Sequence, residues 1–358
     1  MNIFSVLLFG ILLSLSLSLP AQSAKPDATE ILQLSKVLPL TPELQALQSQ
    51  LIQQPQQDTL RLQMAALYLQ GARKPGFDDW FHQAHSLLQS LSAKRKASAL
   101  YGLLQADIQQ QQHQFDAALL TLQQVLLQEP DNVNASLMAA RIYLAQHQIA
   151  AAQQACARLW QDLFLFSACS YEVAGRRGNV AQSYPALQRL YQQQQAIPFA
   201  LDIWLRGILA EQAELLNQPQ QAIAWLVPVL PEAPVSLWLK WADLSLQQGE
   251  AQQVYQQLQG LQENVGLSDG LLIRLVLAER ATQQGKRYWA QLEPRISLRL
   301  ARGDTDHAAD MVHYFLSVQP DAKAALHWAK LNYASAKEPD DASLLQRAQD
   351  AVQHGAVL

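Results

Sequence analysis

Beyond residue 40, apolar side chains recur at spacings of three and four, and no stretch alternates apolar with polar over the length of a strand. That period lays one apolar stripe along each of a series of amphipathic helices. The stripes stop where helix-breaking residues stand, at Gly71, Pro130, Gly178-Asn179 and Gly249-Glu250. Toward the C-terminus the pattern predicts helices over 269–283, 287–302, 304–318, 321–335 and 341–353, which can be paired into hairpins in two ways. The expectation is an all-α chain of helical hairpins.

Small residues relate one hairpin to the next. Ala106 maps onto Ala140, and Phe115-Asp116-Ala117-Ala118 onto Ile149-Ala150-Ala151-Ala152, in each case 34 residues on. A small residue is needed on each helix where the two cross closely, because a larger one forces them apart. A 34-residue period with this pattern is the signature of the tetratricopeptide repeat, whose hairpins stack into a superhelix. Degenerate copies cover 163–195, 199–232 and 235–262, and an upstream copy carries Ala66 and Ala84 around a longer turn at Gly71 to Asp79. Residues 58–262 are therefore read as repeats, 263–358 as degenerate repeats with a cap, and 25–57 as an N-terminal helical or linker segment.

The start of the chain reads differently. Ile3 to Leu19 is an uncharged apolar and serine run, followed by Pro20-Ala21-Gln22-Ser23-Ala24 and then by charged residues. That is the order of a secretory signal peptide over residues 1–24, although Met1-Asn2 lacks a basic side chain. The rival is an uncleaved anchor, for which 17 residues are short. The expected location is the periplasm or another exported compartment.

Composition narrows the function. Half of the residues are hydrophobic (49%), only 16% are charged, and the net charge is −4. Nothing there attracts nucleic acid, and Lys94-Arg95-Lys96 and Arg176-Arg177 are isolated basic groups. No nucleophile elbow, P-loop, zinc-protease or dinucleotide motif occurs, so neither a catalytic residue nor a cofactor is expected.

The chain resembles a family of secreted bacterial tetratricopeptide-repeat proteins over most of residues 58–350. The resemblance rests on His113-Gln114-Phe115-Asp116-Ala117-Ala118-Leu119, on Cys156 and Cys169, and on Arg302-Gly303-Asp304 followed by His307. It extends to Asn332-Tyr333 and to Glu338-Pro339 before Asp341-Ala342. Members carry an Arg-Glu-Glu run after the histidine, where this chain has Ala308-Ala309-Asp310. The resemblance implies the fold and export, and no activity.

Four groups of residues are candidates for a site. In an oxidising compartment Cys156 and Cys169, roughly level across a helical hairpin, read as a disulfide; the alternative is two buried thiols. Arg295, Arg299 and Arg302 share a helix face and, with His307, can grip an anion, unless Asp304 and Glu293 neutralise them. His82 and His85 lie one turn from Asp78 and Asp79, but a third metal ligand is missing. The inner wall of the superhelix is the fourth. Its rungs are Asp107, Arg141, Glu172, Glu211 and Asp243, and its apolar members are Leu103, Leu137, Trp204, Leu239 and Leu246. Such a wall suits an extended peptide or a protein tail. The function expected is an interaction scaffold in the cell envelope, with a metal- or small-ligand-binding periplasmic protein as the alternative.

Overall fold

The computed structural model describes residues 39–355, and the signal-peptide segment lies outside them. Helices start where the sequence offers caps. Asn132 Oδ1 accepts from Ala135 N at 2.9 Å, Asp162 Oδ1 from Leu165 N at 3.0 Å, and Asp321 Oδ1 from Ala324 N at 3.0 Å. Each bond satisfies a first-turn N–H that has no partner within its helix.

A leading helix α1 (Pro42–Gln53) packs on the first hairpin, α2 (Asp58–Ala72) with α3 (Asp79–Gln89). A single turn, α4 (Ala93–Lys96), precedes α5 (Ala99–Gln111) and α6 (Phe115–Gln128). Next come α7 (Val133–Ala145) with α8 (Ile149–Ala157), and α9 (Leu163–Ala174) with α10 (Val180–Gln192). Then follow α11 (Phe199–Leu215) with α12 (Pro219–Leu226), and α13 (Val235–Gln247) with α14 (Ala251–Asn264). The last are α15 (Asp269–Ala281), α16 (Arg287–Arg302), α17 (Ala308–His313), α18 (Ala322–Ser335) and α19 (Pro339–His354). No strand occurs among the described residues. The chain is an all-α, tetratricopeptide-type array of helical hairpins.

Packing resolves the pairing near the C-terminus. α15 packs on α13, α17 on α15, and α19 on α17. These are therefore the first helices of their repeats, α16 and α18 are second helices, and α19 closes the array. The crossings are tight, with Ala106, Ala118, Ala140 and Ala152 all buried. At the crossing of α5 and α6, Gly102 lies so close to Val125 that an added Cβ would stand 2.5 Å from its Cγ2. Turns inside hairpins close on a left-handed residue, His113, His147, Gly178, Asn217 or Gly249.

The array also meets itself. The long turn between α2 and α3 reaches the connection between α12 and α13, where Arg73 O accepts from Val235 N at 2.8 Å and Lys74 pairs with Glu232. Gly76, at φ +86°, rests on Val265, between α14 and α15; a Cβ there would lie 2.8 Å from the valine Cβ.

Candidate interaction surface

The two cysteines lie in the core between α8 and α9, both buried, and are bonded with a Cα–Cα distance of 5.6 Å. Their hairpin turns at residues 158–162. The bond ties the second helix of one repeat to the first helix of the next.

Three of the four acidic rungs of the inner wall are paired to arginines. Asp107, buried, pairs with Arg73. Arg176 Nη2 donates to Glu211 Oε2 at 2.9 Å. Asp243 takes two bonds from Arg274, from Nε and Nη2, each 2.8 Å. Asp107, Glu211 and Asp243 are thus tied to basic side chains about one repeat away. The physical reason is burial, since a carboxylate removed from water needs a counterion. Glu172 is buried with no ion-pair distance of this kind. Burial pushes its carboxyl up to about 7, aided by repulsion from Glu211 and opposed by attraction from Arg141 and Arg176. Arg141 is exposed on the wall, and Leu103, Leu137, Trp204, Leu239 and Leu246 are each half-buried.

The arginine cluster also differs from the expectation. Arg295 Nε and Arg299 Nε lie 2.7 and 2.6 Å from the two carboxylate oxygens of buried Asp269. Arg299 is also 3.9 Å from Asp304. Asp269 is the main counterion of Arg295 and Arg299, where Asp304 and Glu293 were expected. Arg302 lies outside this pairing, and His307 stands exposed in the turn before α17 at φ 54°. A neighbouring buried network joins Arg274 to His313 Nε2 at 3.0 Å and to Gly270 O at 3.1 Å. Burial, with repulsion from Arg274, pushes His313 down to about 3.

The N-terminus of α19 is acidic, with Glu338 at its cap and Asp340 and Asp341 in its first turn. Burial raises the Glu338 carboxyl to about 6, with repulsion from Asp341 and Asp340 and attraction from Arg141 and Arg176. Asp340 in turn acts on Glu211 and Lys240.

Sequence reasoning missed the counterions Arg73, Arg176, Arg274 and Asp269. A signal existed, because Arg73 precedes Asp107 by 34 positions and Arg176 precedes Glu211 by 35. Among the described residues no group of three or more His, Cys, Asp or Glu is placed to hold a metal ion.

Residues 109–163 match the tetratricopeptide repeat family. A tetratricopeptide repeat protein from Parabacteroides merdae is 14% identical, with a TM-score of 0.47 over 66% of this chain and 90% of its own. The Cut9–Hcn1 hetero-tetramer of the APC/C is 14% identical, with a TM-score of 0.48 over 81% of this chain and 62% of its own. Naa15/Naa10 bound to HypK-THB is 11% identical, with a TM-score of 0.31 over 87% of this chain and 58% of its own. No curated protein matches the chain.

Proposed function

We propose that the chain is an exported, non-catalytic scaffold whose inner wall binds an extended segment of another protein in the cell envelope. The observation that carries this reading is the row of half-buried apolar side chains at Leu103, Leu137, Trp204, Leu239 and Leu246, beside the exposed cation Arg141. With Asp107, Glu211 and Asp243 paired to arginines, apolar contact supplies the affinity and Arg141 favours a partner with a carboxylate in reach. Export is supported by the order of residues 1–24 and by the cysteine pair, which persists in oxidising compartments. No observation favours a metal- or small-ligand-binding protein. The depression beside Glu279 and Trp289 is open, and the Glu279 carboxylate is engaged by Tyr288 N at 3.0 Å and Trp289 N at 3.2 Å.

Photo-crosslinking from position 141 in native envelopes tests the wall. A discrete adduct from 141, absent from a probe at Asn217 in a hairpin turn, is the expected result. Adducts that do not distinguish the two positions would refute it. Mass spectrometry of the recovered protein tests export separately: mature protein beginning near Ala24 or Lys25 supports it, and an intact Met1 terminus on membrane-bound protein contradicts it.

A further inference from the structure

Arg73 holds the two ends of the inner wall together. Its side chain pairs with Asp107 on α5, the first rung. Its carbonyl accepts from Val235 N, the first amide of α13, and α13 carries Leu239, Asp243 and Leu246 at the other end of the wall. Stacked repeats ordinarily touch only their neighbours. A contact from the first hairpin to the sixth therefore turns an open groove into a closed circuit.

Each half of this closure keeps its shape without the other. The α2–α3 turn is bonded to itself: Lys74 N donates to Gly71 O at 3.0 Å, Phe77 N to Lys74 O at 3.2 Å and Trp80 N to Phe77 O at 2.9 Å. Phe77 and Tyr68 both pack edge-on against Trp80, with ring centroids 4.6 and 5.3 Å away, and Gly71 leaves no room for a Cβ beside that ring. On the receiving side, Pro228, Pro231 and Pro234 stiffen the α12–α13 connection, because proline fixes φ. The joint between the halves is small. It consists of the Arg73–Val235 bond, the Lys74–Glu232 pair and the seat of Gly76 on Val265. Two preformed halves with a small joint are the make-up of an element with two states.

We propose that the α2–α3 turn is a gate on the inner wall, and that the array opens at this joint to admit a protein segment. The inference rests on the wall being the binding surface. A closed circuit takes an extended chain only by threading a free end, whereas an open one takes a segment flanked by folded domains. The chemistry of the joint favours opening. Lys74 and Glu232 are partly exposed, so water replaces their pairing at little cost. Val235 N, in the first turn of its helix, has no partner within the helix and is free to bond water once released.

Lys74→Cys/Glu232→Cys gives the test on the full chain. The chain's own two cysteines are bonded to each other, so the introduced thiols are the reactive ones. A short bis-maleimide bridges the joint in one sample, and N-ethylmaleimide caps both thiols in the other. Hydrogen exchange over 227–238, which includes Val235, reads opening without any partner. It should be slower in the bridged protein, with helicity equal in both. Photo-crosslinking from position 141 in an extract of native envelopes reads access to the wall. The capped protein should give the discrete adduct, and bridging should reduce it about tenfold or more. Equal exchange in the two samples would overturn the gate, as would failure of the reagent to bridge thiols that the closed form holds side by side. An undiminished adduct from the bridged protein would also overturn it and leave the wall standing, its partner threaded by a free end. No adduct from either sample would remove the wall as the binding surface, and the gate with it.

Discussion

Glu172 shows what a buried rung does to stability. Its folded carboxyl titrates near 7, against an ordinary value of 4.5. Between those values the folded chain holds a proton that the unfolded chain has released, so stability falls as pH rises across that window and is flat above it. His313 works the other way. Its folded value of about 3 lies below the ordinary 6.5, so its contribution is lost as pH falls from 6.5 toward 3. The two slopes oppose each other where the windows overlap, and a difference between variants separates them. Glu172→Gln is expected to gain on the order of 2 kcal/mol over the parent at pH 8 and little at pH 4.5. Urea titrations at both values check it, and a pH-independent difference would contradict the assignment. The Asp243–Arg274 pair gives a second expectation. Arg274 is almost wholly buried, so Asp243→Ala strands a guanidinium and should cost about 3–5 kcal/mol. Asp243→Leu with Arg274→Met should recover most of that loss, and a double variant no better than the single one would show that the network acts through another partner.

At the scale of elements, the helices were legible because each signal is local. Period, caps and turn residues sit within a few positions of what they decide, as at Asn132, Asp162 and Gly249. The small residues Ala106, Ala118, Ala140 and Ala152 marked the crossings because close helix approach admits no other size. Ala152→Leu is expected to overpack the crossing of α7 and α8 and cost about 1–3 kcal/mol. Thermal melting of the variant checks this, and an unchanged midpoint would mean that the crossing has room. The rungs were legible as positions but not as charges. Their places follow from helix period, whereas their counterions lie on neighbouring repeats or in the long turn, where side-chain reach decides. The phase of α15 to α19 was illegible for a related reason: each helix carries an apolar face toward both neighbours, and the pairing emerges only when α17 is seen packed on α15 and α19.

At the scale of the whole molecule, the closure of the array is the property farthest from sequence. Lys74 and Glu232 are 158 residues apart, and no repeat pattern couples positions that distant. Three contacts make the latch: Val235 N to Arg73 O, Lys74 with Glu232, and Gly76 against Val265. None belongs to the core of a single repeat, so the latch can fail while the hairpins persist. The Lys74–Glu232 pair is partly exposed and contributes little alone. Gly76 matters more, because its positive φ and the adjoining valine both exclude a side chain. Gly76→Val with Lys74→Glu should therefore separate the α2–α3 turn from the α12–α13 connection and leave helix content unchanged. Small-angle scattering should then report a larger radius of gyration, and circular dichroism an unaltered helical signal. An unchanged radius would mean that closure is set by the accumulated packing angles of successive repeats, with the turn at Gly76 merely resting where those angles bring it.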